Sequence, residues 1–208
     1  MANIIVFVLG IIGGTFVAIG VDVFRYYYFA PKLVIGLDRP EEGENYSCHS
    51  VVVRNLGRSP AISAQGFLTV ENLSPHHVLS TSDVRLGADL DLDPQKFGII
   101  GAETVYLDSR TYRDISDEPL AWSAVGSRST IDIYPKTSRL LDVCRFIKSD
   151  PQQIHIPSMF GWQALLAVLT PDDYSIMIRV VATTGKEARQ RFQLCYDEKD
   201  VSFVPLPG

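Results

Sequence analysis

The chain is poor in the residues on which most enzyme chemistry depends. Its three cysteines, Cys48, Cys144 and Cys195, lie far apart without a C-x-x-C pair, so the sequence builds neither a disulfide framework nor a thiolate metal knuckle. Reduced, mostly buried thiols are the expected state. The four histidines, His49, His76, His77 and His155, have no H-x-x-x-H spacing, which leaves zinc without a ligand set. No G-x-S-x-G elbow and no glycine-rich phosphate loop occurs, so neither an activated serine nor a nucleotide cradle can be read. Positive charge is also short. With 19 Lys and Arg against 24 Asp and Glu, the net charge of −5 is too acidic for a general binder of nucleic-acid phosphates. These gaps give no catalytic residue, no cofactor and no nucleic-acid partner to nominate.

One stretch lacks both charge and proline. Positions 4–21 read IIVFVLGIIGGTFVAIGV, and 18 such residues at ~1.5 Å each are just enough to cross ~30 Å of hydrocarbon as a helix. The run stops at Asp22 and Arg25, then passes through Phe24, Tyr26, Tyr27, Tyr28 and Phe29 to Pro31. Aromatic rings favour the headgroup level and proline ends a helix, so Tyr26, Tyr27 and Tyr28 are expected at the membrane interface. A cleaved signal would need a basic start and a small-residue cleavage site, and Met1-Ala2-Asn3 carries no side-chain charge. Residues 1–31 therefore read as a retained transmembrane anchor with its exit segment. Arg25, Lys32 and Arg39 all follow the run, so the positive-inside tendency makes this a single-pass membrane protein with its globular part in the cytoplasm. Two sequons, at Asn45 and Asn72, would matter only if that part faced outward. Gly10 and Gly14 form G-x-x-x-G, where absent side chains let a second helix come close; the expected partners are membrane lipid and a homodimer or another membrane protein.

After Lys32 the pattern changes to short alternating runs, which predicts a mainly β domain over 32–208. Strands are expected at 32–37, 47–56 and 61–71, and the Gly- and Pro-containing turn between the last two makes them a hairpin or neighbouring sandwich strands. Residues 72–118 read as a long irregular insertion with one short strand near 104–107. Alternation resumes at 119–122 and 129–134. The run 138–147, SRLLDVCRFI, fits strand or helix equally. A short extended piece at 154–156 and a buried strand at 162–169 follow. The clearest hairpin joins 174–182 to 188–196 through Thr184-Gly185-Lys186. It has Ile176, Ile178, Val180 and Ala182 on one face, and Phe192, Leu194 and Tyr196 inward opposite Arg189, Arg191 and Gln193. Eight or so such runs predict an antiparallel, two-layer β-sandwich behind one transmembrane helix.

Val53-Arg54-Asn55-Leu56-Gly57-Arg58-Ser59-Pro60-Ala61 resembles the V-x-N-x-G-x-x-x-A turn of CARDB-like and other immunoglobulin-like adhesion or spacer domains. The resemblance implies that Asn55 and Gly57 shape a turn between two sandwich strands and that Ala61 packs inward; it implies no activity. The overall layout also resembles prokaryotic single-span membrane proteins carrying one β-rich domain. Asp89, Asp91 and Asp93 alternate as calcium ligands do. Pro94 stands where an EF-hand loop continues, so a solvated acidic loop is the default and a sandwich-loop metal site the alternative. Trp122 and Trp162 read as core, and Lys186, Arg189 and Arg191 as a small basic patch on a wet face. The function expected is a membrane-anchored interaction module, an accessory subunit of a membrane complex, with a ligand- or ion-binding sensor domain as the alternative.

Overall fold

The computed structural model describes residues 17, 20, 21, 24, 28–44, 46–73, 106–107, 115–123, 129–147, 153–159, 161–170, 172–197 and 200–207. Val17, Gly20, Val21, Phe24, Tyr28 and Phe29 are helical. Among the described residues no helix is long and apolar enough to cross a membrane; most of the 4–21 run lies outside them.

The rest is mainly β, in two sheets. The first sheet has the order β1 (Leu33–Leu37), β3 (Tyr46–Asn55), β8 (Ser138–Ile147), β9 (Ile154–Ser158), β10 (Gly161–Leu169) and β5 (Tyr106–Leu107), with β2 (Glu41–Glu42) beside β3. The second runs β13 (Asp200–Pro205), β12 (Ala188–Asp197), β11 (Tyr174–Val181) and β4 (Ala61–Val70), then β6 (Glu118–Leu120). A short β7 (Ile131–Ile133) shares the β6 side of β4, nearer its start. The β5–β10 pair is parallel and the other described pairs are antiparallel. Thus β3 and β4 are not a hairpin: the turn carries the chain from one sheet to the other.

Alternation explains why these segments are strands. In β11, Tyr174, Ile176, Ile178 and Val180 are buried and the residues between them half-buried, a period of two that a sheet satisfies and a helix does not. They meet Phe192 and Leu194 of β12 on the same face, and across the gap Val51, Val53, Leu141 and Phe146 of the first sheet. Two apolar faces closing on one core is an arrangement consistent with a β-sandwich, and removing that surface from water is the main stabilising force. Trp122 is part of this core. It is 1% exposed, its indole N–H donates to the Ala64 carbonyl at 3.0 Å, and its backbone bridges Leu141, so it ties β4 to β8.

The residues that defied a period, 138–147, are a bulged strand. Their register with β3 shifts between His49 and Ser50, where Cys144 pairs with His49 but Asp142 with Ser50, leaving Val143 extra. The bulge turns Leu141, Val143, Cys144 and Phe146 all into the core, which no simple alternation allows. Two strands have no counterpart in the sequence expectations, the two-residue β2, which reads as part of an acidic turn, and β13. β13 pairs with β12 from Pro205 opposite Phe192 to Asp200 opposite Asp197.

Tyr174 opens β11 fully buried, and its hydroxyl donates to the Thr170 carbonyl at 2.7 Å, four residues upstream. Burial raises its pKa to about 12, so the hydroxyl keeps the proton it donates. Replacing Tyr174 by Phe is expected to cost about 1 kcal/mol, the net worth of one such bond, read as a lower denaturant midpoint of the full chain in mild detergent. An unchanged midpoint would show that the bond contributes nothing net.

Candidate functional site

The turn at 55–61 is built around one buried amide. Asn55 is 0% exposed, and a buried primary amide is tolerated only when both its donors and both its acceptor positions are used. All four are. The side-chain oxygen accepts from Lys32 N (3.2 Å) and Gly57 N (2.9 Å), and Nδ2 donates to the Ser59 (2.8 Å) and Ile133 (2.9 Å) carbonyls. Its backbone N–H donates to the Thr137 carbonyl and its own carbonyl accepts from Lys136 N. One residue therefore joins the incoming segment, its own turn, β7 and the turn before β8.

What this turn receives is the polypeptide that leaves the apolar run. Leu56 N donates to the Lys32 carbonyl at 2.8 Å, and the Ser59 hydroxyl donates to the Phe29 carbonyl. Gly57 has no room for a side chain, since a Cβ there would lie 2.5 Å from both Ala30 O and Lys32 N. On the opposite side, Gly185 adopts φ +91°, and a Cβ would fall 2.5 Å from Pro31 Cγ. Both positions need glycine, one for close backbone approach and one also for its left-handed conformation. The 183–185 turn is itself laced to the start of β4: Thr184 Oγ1 donates to the Pro60 carbonyl (3.1 Å), and Thr183 N to the Ile62 carbonyl (3.0 Å). Buried Pro31 is thus held between two turns from different parts of the chain. Arg58 lies 4.9 Å over the Tyr28 ring, which stacks on Phe24 at 4.8 Å.

Of the interface residues expected from sequence, Tyr28 is in this cluster and 55% exposed. Tyr26, Tyr27, the glycine pair Gly10 and Gly14, and the acidic Asp89, Asp91 and Asp93 lie outside the described residues, as do His76 and His77. The basic patch of the last hairpin is an ion-pair ladder. Arg191 pairs with Glu71 (3.0 Å), Arg189 with Glu187 (2.5 Å) and Arg179 with Asp117 (3.0 Å). Apart from half-buried Arg179 its members are solvent-exposed, so those pairs contribute little.

Sequence reading missed a second polar cluster, on the face of the first sheet turned away from the core. Cys48, Arg145 and His155 are cross-strand neighbours on β3, β8 and β9. Arg145 is only 5% exposed. Its guanidinium lies 4.2 Å from the Trp162 ring centre and 4.9 Å from that of Tyr46, and its Nε donates to Cys48 Sγ at 3.2 Å. Trp162, expected in the core, is half-buried on this outer face instead. The signal for the cluster was a lone arginine in an apolar run, but the bulge hid which way it points.

The cluster is chemically quiet. Burial raises the Cys48 pKa despite the opposing effect of Arg145, so the thiol stays protonated; Cys144 is pushed well up, first by burial and then by Cys48. The nearby Ser47, His49 and Glu42 also fail as a nucleophilic set. The Ser47 hydroxyl donates to Glu42 Oε1 (3.1 Å) and lies 3.0 Å from His49 Nε2, so its proton goes to the carboxylate rather than to imidazole. Among the described residues no three His, Cys, Asp or Glu side chains converge to hold a metal. Against known proteins, the chain matches no family model, no curated protein and no solved structure.

Two measurements check this account. Asn55→Ala leaves two N–H groups and two carbonyls, that of Ile133 buried, without their partner, and is expected to cost about 2–4 kcal/mol, at up to ~1 kcal/mol for each bond. A loss below ~1 kcal/mol in denaturant titration of the full chain would refute its role as a hub. His155 gives a pH signature. Burial, then Arg145, lowers its pKa from 6.5 to about 4, so between those values the unfolded chain binds the extra proton. Stability should be full above pH 6.5 and fall by roughly 3 kcal/mol on acidification to about pH 4. Asp142, raised by burial, acts in the opposite sense, so comparison with His155→Gln isolates the imidazole. An identical pH profile in that variant would remove His155 as the cause.

Proposed function

We propose that the chain is a single-pass, membrane-anchored protein whose immunoglobulin-like β-sandwich works by protein contact, as an accessory subunit of a membrane complex, with the domain on the cytoplasmic side. The observation that carries this reading is the domain's grip on residues 28–32. A domain on a loose tether has no use for two turns, two obligatory glycines and a saturated asparagine spent on its own leader. A domain that must hold one orientation to an apolar helix does.

The strand order supports the immunoglobulin-like part. Taking β1, β3 and β8 as strands A, B and E, and β4, β11 and β12 as C, F and G, reproduces the A-B-E and C-F-G neighbours of that fold. Tyr174 then stands at the start of F and reaches back to Thr170, as a tyrosine corner does. The Asn55 turn, which resembles that of CARDB-like domains, becomes the B–C connection. Two features depart from antibody domains: the three cysteines are free, and β9 follows β8 where strand D would precede E. In antibody variable domains the B–C and F–G loops face antigen. Here the corresponding turns hold the chain's own segment, so contact with another protein falls to the apolar helix and the remaining surfaces.

The test is retention and company. Full-length protein should stay with membranes through alkaline carbonate washing and leave mild detergent as a self-dimer or with one stoichiometric partner. Protease added to intact cells should not reach the domain. Recovery from the aqueous extract, or a monodisperse monomer with no partner, would overturn the reading.

A further inference from the structure

The pole that grips residues 28–32 also carries an unusual surface for its position. Leu56, at the tip of the Asn55 turn, is 60% exposed, and Tyr134, at the tip of the turn before β8, is 55% exposed. The two turns are neighbours, because Lys136 N donates to the Asn55 carbonyl and Asn55 N to the Thr137 carbonyl. Lys32, Arg58 and Lys136 are exposed around them. Carboxylates gather at the opposite ends of the strands. Asp38, Glu41, Glu42 and Glu44 flank the start of β3, and Glu71 with Asp172 and Asp173 lies where β4 ends and β11 begins; all are exposed. The domain is therefore electrically polarised, positive at the end where the apolar segment arrives.

Resting on the membrane-anchor reading, we infer that this pole is a lipid-docking face: Leu56 and Tyr134 enter the headgroup layer of an anionic leaflet while Lys32, Arg58 and Lys136 contact its phosphates. Distance favours it. At ~1.5 Å per helical residue, the step from Val21, the end of the apolar run, to Phe29, whose carbonyl the Ser59 hydroxyl binds, is about 12 Å. One headgroup layer is ~5–8 Å thick, so on a helical connection a pole fastened at Phe29 stands within about one helical turn of the bilayer surface. Exposed apolar tips ringed by cations suit that boundary, where the apolar part sinks and the charges meet anionic lipid. A tyrosine is also the residue type that settles at this depth.

The experiment places a reporter at the tip. Full-length chain carrying Tyr134→Trp is reconstituted into vesicles of phosphatidylcholine with or without phosphatidylglycerol, each containing brominated phosphatidylcholine. The wild-type chain gives the background from Trp122 and Trp162. In anionic vesicles the reporter should emit to the blue of its position in detergent and be quenched by bromine. Replacing Lys32, Arg58 and Lys136 together by Gln should remove most of that quenching, since each cation near an anionic surface contributes about fivefold, ~1 kcal/mol. A solvent-like, unquenched reporter on protein that still floats with the vesicles would overturn the docking face and leave the anchor standing. Quenching unchanged in the triple variant would overturn the headgroup contact. A blue-shifted reporter untouched by bromine would assign the face to a protein or a second copy instead. Protein that fails to float would end the anchor reading, and this inference with it.

Discussion

The constraint on which the rest of the fold leans is the burial of Asn55. A primary amide removed from water costs several kcal/mol unless every donor and acceptor is answered, so its surroundings have no freedom. Lys32, Gly57, Ser59 and Ile133 must each present a backbone group at hydrogen-bond distance, which fixes where β1 begins, how the first sheet hands the chain to the second, and where β7 runs. Gly57 and Gly185 then follow from geometry, since the segment these turns enclose passes too close for a side chain. At this pole the side-chain amide of Asn55 has every donor and acceptor position answered.

The same logic separates what the molecule uses from what it silences. Several buried groups are held in their uncharged forms: His155 is kept neutral and Cys48 and Cys144 protonated, while Arg145 lies between two rings beside a thiol. Desolvation dominates each shift, so none is tuned toward reactivity. The surface is where variation remains. Ion pairs neutralise the wet face of the last hairpin, while carboxylates collect at one end of the strands and unshared cations with apolar tips at the other. A domain with a quiet interior and a polarised exterior is suited to be positioned and touched, which is the role proposed for it.

Much of the architecture was legible in the residues. The β11–β12 hairpin could be read almost residue by residue, because one wet and one dry face impose a period of two. The Asn-x-Gly turn could be recognised from its own chemistry. β8 could not be told from a helix, because the bulge at Val143 adds a residue and destroys the period on which any such reading depends. β13 was missed because Asp200–Pro205 is short, ends in proline and alternates only weakly; its pairing with β12 makes it a strand. Trp162 lies in an apolar run and so reads as core, but the face it occupies depends on register.

The sequence by itself determined that the chain is mainly β, because a train of alternating strands is a local pattern, each strand written within a few residues. It also determined that Asn55 and Gly57 would make a turn. Only the tertiary structure decided what that turn holds. The partners of Asn55 lie 23 residues before it and 78 after it, and Gly185 meets Pro31 across most of the chain. Contacts at such separations are set by how two sheets stack and register, and no local pattern of side chains encodes that.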